Sequence, residues 1–341
     1  MKRAFTLTIV TLVFLLGFAF SVSAQEITVG LSDVLDVQVS PEYPRAFESV
    51  NISVRSYNSD FNRANITWYL NGTPELKGIG KTNFTFKTSG VGQTTTVRMD
   101  ARTAGGGIVS RTFSFRPGDV DLLWEADTYT PPFYKGKKLH SNEGTLRVVA
   151  LPTILEKDGS IANPKNLVYK WRLGSKVMDD ESGFGKQSIT FHKDVTFKSN
   201  FNVTVVVSTL DDSSSAQSTL RVTPVNPLVI LYENNPVLGV MYNKALSTEE
   251  TLSLTENEVS ISAHPFFFDV TSASSNRLNY RWFMNGKSLD TPKIPNDLTL
   301  RKIGGSGRAQ LRLRLQHTDN ILQGAETETT IHYSSNSSSI F

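Results

Sequence analysis

Hydrophobic and polar residues alternate along most of this chain with a period of two, and the period returns in three similar blocks. Val50-Asn-Ile-Ser-Val-Arg55 shows it first, with one apolar and one wet face, as a half-buried strand requires. The same block continues through a strand around Trp68, then Asn83 to Lys87, Thr94 to Ala101, a Gly105-Gly-Gly107 turn and Ile108 to Phe115. A second block runs through Thr145 to Ala150, a strand around Trp171, Ser188 to Phe191, Phe201 to Ser208, an Asp211–Ser215 turn and Ser218 to Thr223. The third contains Glu258 to Ala263, a strand around Trp282, Leu298 to Arg301, Ala309 to Gln316 and Thr327 to Tyr333. No segment sustains a helical period of useful length, so the chain is expected to be all-β.

The three tryptophan strands are variants of one phrase: Asn65-Ile-Thr-Trp68-Tyr-Leu-Asn71-Gly72, Leu167-Val-Tyr-Lys-Trp171-Arg-Leu-Gly174 and Asn279-Tyr-Arg-Trp282-Phe-Met-Asn285-Gly286. Their tryptophans are 103 and 111 residues apart, the length of one small β-domain. Each phrase predicts a strand closed by a turn, and Asn-Gly in the first and third accepts positive φ at both central positions of a tight two-residue hairpin. Trp68, Trp171 and Trp282 are the expected core plugs of three tandem immunoglobulin-like β-sandwiches. The expected boundaries are 25–117, 118–224 and 225–334, with a flexible tail at 335–341.

The run from Phe201 to Val222 is similar to the closing hairpin of PKD-type domains, where an aromatic opens a Thr/Val-rich strand, an acidic turn follows and a last strand ends the module. Tyr280-Arg-Trp282 and Tyr169-Lys-Trp171 resemble the central Tyr-x-Trp strand of that family; the first copy has Ile66 in place of the tyrosine. The acidic Gly-Asp turn common after the tryptophan in that family is replaced by Asn-Gly or Leu-Gly-Ser. The resemblance implies PKD-like or Ig-like sandwiches over most of the chain.

Residues 1–24 read as an export signal, with Lys2 and Arg3 as the positive end, an apolar run from Phe5 to Phe20 and Val22-Ser23-Ala24 as the small-residue exit. Two rivals are a retained membrane anchor, for which the run is short and lacks a charged stop, and a type IV pilin leader. The pilin resemblance, in Lys2-Arg3-Ala4-Phe5-Thr6-Leu7, fails at Ile9, where that family usually carries glutamate. The chain has no cysteine, which excludes disulfides and a lipid-modified N-terminal cysteine and favours a bacterial exported protein. Of 341 residues, 35 are Lys or Arg and 32 Asp or Glu; without Lys2 and Arg3 the formal charge falls to +1. So neutral a surface gives no electrostatic reason to expect nucleic acid or an anionic membrane. Membrane contact is expected only through an uncleaved N-terminal segment.

A second repeat lies near the domain boundaries. Leu122-Leu-Trp124-Glu125 precedes Tyr134 by ten residues from the tryptophan, and Ile230-Leu-Tyr232-Glu233 precedes Tyr242 by ten from the tyrosine. The expectation is that Trp124 packs with Tyr134, and Tyr232 with Tyr242, at the joints. The competing reading is that these aromatics cap their own module's core. On the joint reading, loss of Trp124 should change the angle or mobility between modules one and two. The loop Tyr129-Thr-Pro-Pro-Phe-Tyr-Lys-Gly-Lys-Lys138 is expected to belong to a joint, with its lysines in water; a recognition loop for a sugar face or an acidic polymer is the alternative. Three consecutive aromatics, Phe266 to Phe268, cannot all face one side of a strand, so at least one is expected to be exposed or the run to be a loop.

Chemistry is sparse. His140, His192, His264, His317 and His332 show no metal-ligand spacing, and there is no Gly-x-Ser-x-Gly elbow or phosphate loop. Asp179-Asp-Glu181 and Asp211-Asp212 raise the question of calcium, but without the spacing of a calcium loop they read as solvated turns. No enzyme activity, catalytic residue, metal or cofactor is expected. The expected role is a structural or adhesive rod at the cell surface or outside the cell, with the periplasm as a second compartment and an unknown protein or glycan as partner. The alternative is a glycan- or protein-binding subunit of an envelope assembly, such as a pilus-associated or hydrolase-accessory module.

Overall fold

A computed structural model of the chain describes residues 35–192, 199–254 and 257–334. The expected export signal and the tail at 335–341 lie outside the described residues. The architecture is all-β: three β-sandwiches in tandem, with two single-turn 3-10 segments among the described residues.

Module one contains β1 (Leu35–Ser40), β2 (Ser49–Ser56), β3 (Asn65–Leu70), β4 (Thr73–Ile79), β5 (Asn83–Lys87), β6 (Thr95–Arg102) and β7 (Ile108–Phe115). Its sheets run β1-β2-β5 and β4-β3-β6-β7, all antiparallel. Module two contains β8 (Asp119–Ala126), β9 (Leu146–Thr153), β10 (Val168–Leu173), β11 (Lys176–Val177), β12 (Gly183–Phe184), β13 (Ser188–Phe191), β14 (Phe201–Ser208) and β15 (Ser215–Val222). It repeats the arrangement as β13-β9-β8 over β11-β10-β14-β15, with β12 against β10. Module three contains β16 (Leu228–Asn235), β17 (Gly239–Leu246), β18 (Leu252–Leu254), β19 (Glu258–Phe266), β20 (Leu278–Met284), β21 (Lys287–Ser288), β22 (Asp297–Arg301), β23 (Gly307–His317) and β24 (Gly324–Tyr333). Here each sheet gains a strand: β17 extends β16-β19-β22 as a hairpin partner of β16, and β18 runs parallel to β24 at the edge of β24-β23-β20-β21.

Alternation becomes burial directly. In β2, Val50, Ile52 and Val54 are buried while Asn51 and Ser53 between them are not. Each module has its own core, built around Trp68, Trp171 and Trp282, and all three side chains are fully buried. A buried indole N–H needs an acceptor, and each of these donates to a main-chain carbonyl: Lys81 at 2.7 Å, Lys186 at 2.8 Å and Pro295 at 2.9 Å. The tyrosines of the Tyr-x-Trp pattern also reach back to carbonyls, Tyr169 to Pro164 at 2.8 Å and Tyr280 to Ala273 at 2.6 Å. Burial pushes the Tyr169 hydroxyl up to about 12.

The Asn-Gly turns adopt the conformation their residues favour, with φ of 49° and 87° at Asn71 and Gly72 and of 48° and 80° at Asn285 and Gly286. Each asparagine also ties its hairpin to the neighbouring strand. Asn71 exchanges two bonds with Thr96, at 2.8 and 2.9 Å, and Asn285 does the same with Gln310 at 2.9 and 2.8 Å. In module two, Gly174 N–H donates to Asn202 O at 2.9 Å and makes the main-chain half of that contact.

Candidate functional site at the module joints

The two joints differ in kind. Between modules one and two, Arg116 donates from Nε to Gly92 O at 2.7 Å and from Nη2 to Glu156 O, so one guanidinium holds a carbonyl of each module. Ser214 Oγ donates to Arg116 O at 2.9 Å, and Gly118 N–H to Ser215 O at 2.8 Å. Gly92, at φ 71°, lies so close to Leu155 that an added Cβ would stand 2.5 Å from Leu155 Cδ1. Glu42 and Pro44, between β1 and β2, line a cleft of about 50 Å³ with Asp212 and Ser213 of module two. This joint is small and mostly polar.

Between modules two and three the contact is extensive. Residues 127–145, which connect β8 to β9, extend onto the end of module three. Tyr129 N–H donates to Phe268 O and Phe267 N–H to Tyr129 O, both at 2.7 Å, so one residue of module two holds two successive residues of module three through the main chain. Ser141 Oγ donates to Phe267 O at 2.6 Å. The β23–β24 turn is gripped as well: Asn320 Nδ2 donates to Glu143 O at 3.1 Å, Leu322 N–H to Glu143 Oε2 at 2.8 Å and Gln323 Nε2 to Asn142 O at 2.8 Å.

Aromatic packing fills the rest. Phe133 lies 3.9 Å from Tyr242 between ring centroids, and edge-on to Tyr232 at 5.9 Å, His264 at 6.1 Å and Phe266 at 6.4 Å. Tyr134 meets Phe266 and Phe267 edge-on at 5.7 and 5.9 Å. Such pairs each contribute roughly 0.5–1.5 kcal/mol beyond the area they bury.

These contacts correct one sequence expectation and meet others. Trp124 and Tyr134 do not form a pair at the joint with module one. Trp124 packs on the core of its own module, with Lys137 Nζ 3.4 Å from the ring centroid, while Tyr134 belongs to the joint with module three. The 129–138 loop is thus a joint element that reaches forward to module three. Tyr232 and Tyr242 do pack together, edge-on at 5.5 Å, with Phe133 against both. Phe266, Phe267 and Phe268 are all buried, and of the two expected outcomes, an exposed ring or a run that leaves the strand, the second is found. The strand ends at Phe266, Phe267 takes φ 64°, and module two covers the side that would otherwise face water.

The joint also gathers titratable groups that the sequence left scattered. Burial lowers His140 to about 4 and lowers His264, while His317, lowered mainly by burial, lies in the turn that the 127–145 segment grips. Burial raises the Asp269 carboxyl, whose Oδ2 accepts from Asn320 Nδ2 at 3.3 Å. Among the described residues no group of three or more His, Asp or Glu could hold a metal ion. Asp211 is instead held by Lys157 Nζ at 2.9 Å, Thr209 Oγ1 at 2.8 Å and Ser213 N–H at 3.2 Å, and these bonds place its carboxyl far below the usual range. Beside Trp124 lies an open groove of about 610 Å³, lined in part by Asp127, Lys137, Lys138, Arg147 and Thr190.

No protein-family model matches the chain, and no curated protein sequence does. Among solved structures, it is similar to the central fibronectin-III array of RIM-binding protein, at 12% identity and a TM-score of 0.30, over 88% of this chain and 96% of that one. It is also similar to the fibronectin(III)-like modules of Clostridium thermocellum CbhA, at 12% identity and 0.27, over 56% and 93%. A third similarity is to a Bacteroides ovatus mixed-linkage glucan utilization protein, SGBP-B, in complex with a heptasaccharide, at 16% identity and 0.20, over 89% and 70%. These are likenesses of fold, and no function is drawn from them.

Proposed function

We propose that this chain is an exported, non-catalytic rod of sandwich modules that works at the cell surface or outside the cell as a structural or adhesive element. The observation that carries the reading is the joint between modules two and three. A loop of nearly twenty residues has been given over to fixing one sandwich on the next by two main-chain bonds, side-chain bonds to a turn and an aromatic cluster. Independently tumbling domains need no such joint, whereas an element that holds reach or transmits load does. The apolar run at the N-terminus and the absence of cysteine support export and bacterial origin.

Protease shaving of intact cells of the source organism, followed by mass spectrometry, tests the location. Release of peptides from this chain without lysis is the expected result. Protection until the envelope is opened would overturn the surface reading. A second reading, a glycan- or protein-binding subunit of an envelope assembly, is favoured by the groove beside Trp124, where an aromatic edge, cations and carboxylates converge.

A further inference from the structure

Both internal joints follow one rule. In each, the segment between a module's first two core strands extends from the far end of that module and meets the last hairpin turn of the next. In module one that segment carries Glu42 and Pro44, which line a cleft with Asp212 and Ser213 in the β14–β15 turn. In module two it is 127–145, bonded to Asn320, Leu322 and Gln323 in the β23–β24 turn. The corresponding segment of module three begins with the β16–β17 hairpin. Its tip lies at the end of the module away from module two, because β19 meets module two at Phe266 and starts at the opposite end with Glu258.

Among the described residues, that end presents apolar side chains of the kind the internal joints cover. Val237 and Leu238 at the hairpin tip are 86% and 71% exposed, and Ile303, just past the Glu258–Arg301 pairing, is 97% exposed. Beside the tip is a cleft of about 450 Å³ lined by Pro236, Val237, Leu254 and Val259, with Glu233 and Glu258 among its polar groups. At the opposite extremity, module one presents the other half of the rule. Strand register brings Ile79, Arg102 and Ile108 to one level beside the β6–β7 turn, and Tyr57 follows β2 at the same end. Tyr57, Ile79 and Ile108 are each more than half exposed.

We propose that the far end of module three docks the turn end of module one of a second copy, head to tail. Ile108 enters the cleft beside Val237, and Arg102, its cross-strand partner, comes to Glu233, beside the Glu258–Arg301 ion pair at 3.2 Å. The contact joins two different surfaces, so it leaves a free end on every copy and repeats as an open chain or closes as a ring. It extends the rod reading by stating how rods join. It does not depend on where the protein acts, so sedimentation tests the contact while shaving tests the location.

The experiment is sedimentation velocity on the chain from Gln25 onward, which keeps all three cores, from micromolar to submillimolar concentration. Two variants block one end each: Val237→Asp with Leu238→Asp, and Ile108→Asp. All three positions are exposed, and circular dichroism checks that the folds persist. The unmodified chain should form species that grow past the dimer, and each variant alone should associate at least tenfold more weakly. An equimolar mixture of the variants should recover association but stop at the dimer, because only one good head and one good tail remain. A chain monomeric throughout, variants that assemble like the unmodified chain, or a mixture that recovers nothing would each overturn the proposal.

Discussion

Mild acid should open the joint between modules two and three. His140 is fully buried in the 127–145 segment, edge-on to Phe201 at 6.0 Å, and burial holds its pKa at about 4 against an ordinary 6.5. Because the docked segment, with His140 against Phe201 of its own module, binds the proton less readily than a segment released from both modules, its full stability is present above pH 6.5 and is lost as pH falls toward 4. From about pH 7.5 to about pH 5, His140 alone costs the closed state about 2 kcal/mol. His264, lowered by burial and opposed by Asp297, shifts in the same sense. So does His317, where the geometry adds a reason of its own. Its Nδ1 accepts the N–H groups of Asp319 and Asn320 at 3.0 and 2.9 Å, and its Nε2 faces the Asp269 carbonyl at 3.2 Å. A proton on Nδ1 would displace both bonds from the turn that the segment grips. Asp269 works against this trend, since its raised pKa relieves a buried charge as pH falls, and Arg277, Asp319 and Asp269 surround His317 with both signs.

Hydrogen exchange at Tyr129 and Phe267 is the direct assay, because both N–H groups are bonded across the joint. A loss of about 2 kcal/mol means roughly thirtyfold more frequent opening, read after correction for the intrinsic pH dependence of exchange. Replacing His140 with leucine keeps an apolar side chain in place and should flatten most of the dependence. Unchanged protection at these two amides between the two pH values would refute the reasoning.

Two further perturbations separate modules from joints. Trp282→Ala should destabilise module three by about 3–5 kcal/mol, lowering its melting transition and leaving that of module one in place, because Tyr129 and the joint tie only module two to that core. Arg116→Ala frees Gly92 O and Glu156 O together and should broaden the distribution of distances across modules one and two in small-angle scattering, with the three melting transitions within about 1 kcal/mol of the parent; an unchanged distribution would place the stiffness elsewhere.

The sandwiches were legible because their causes are local. Alternation sets the buried face, Asn-Gly sets the hairpin, and the repeated tryptophan sets the module length. The joint was only partly legible, since the Trp124 and Tyr232 phrases look alike and lead to different structures. After β16, Asn235 Oδ1 accepts the N–H groups of Val237 and Leu238 at 2.9 and 3.0 Å, and Gly239 takes φ 76°, so the chain turns back as a hairpin. After β8, Pro131-Pro132 removes two consecutive ladder donors, so no returning strand can pair there and the chain runs on to module three. That difference was in the sequence as a signal. The burial of Phe266 and Phe267 was not, because an alternation rule sees one strand and its own sheet, and here rings of another module pack on both, while Phe268 turns into its own core.

The inequality of the joints has a mechanical consequence. Separating modules two and three requires breaking the two main-chain bonds of Tyr129, the bonds to one turn and an aromatic cluster together, and these fail cooperatively because the same segment carries them all. Separating modules one and two removes the two bonds of Arg116, the bonds of Ser214 Oγ and Gly118 N–H and a glycine contact, with no aromatic cluster among them. Bending therefore concentrates at the first joint, and modules two and three move as one body. If copies associate head to tail, every rigid pair is then followed by one flexible step, the arrangement that lets an assembly follow an uneven surface without unfolding a core.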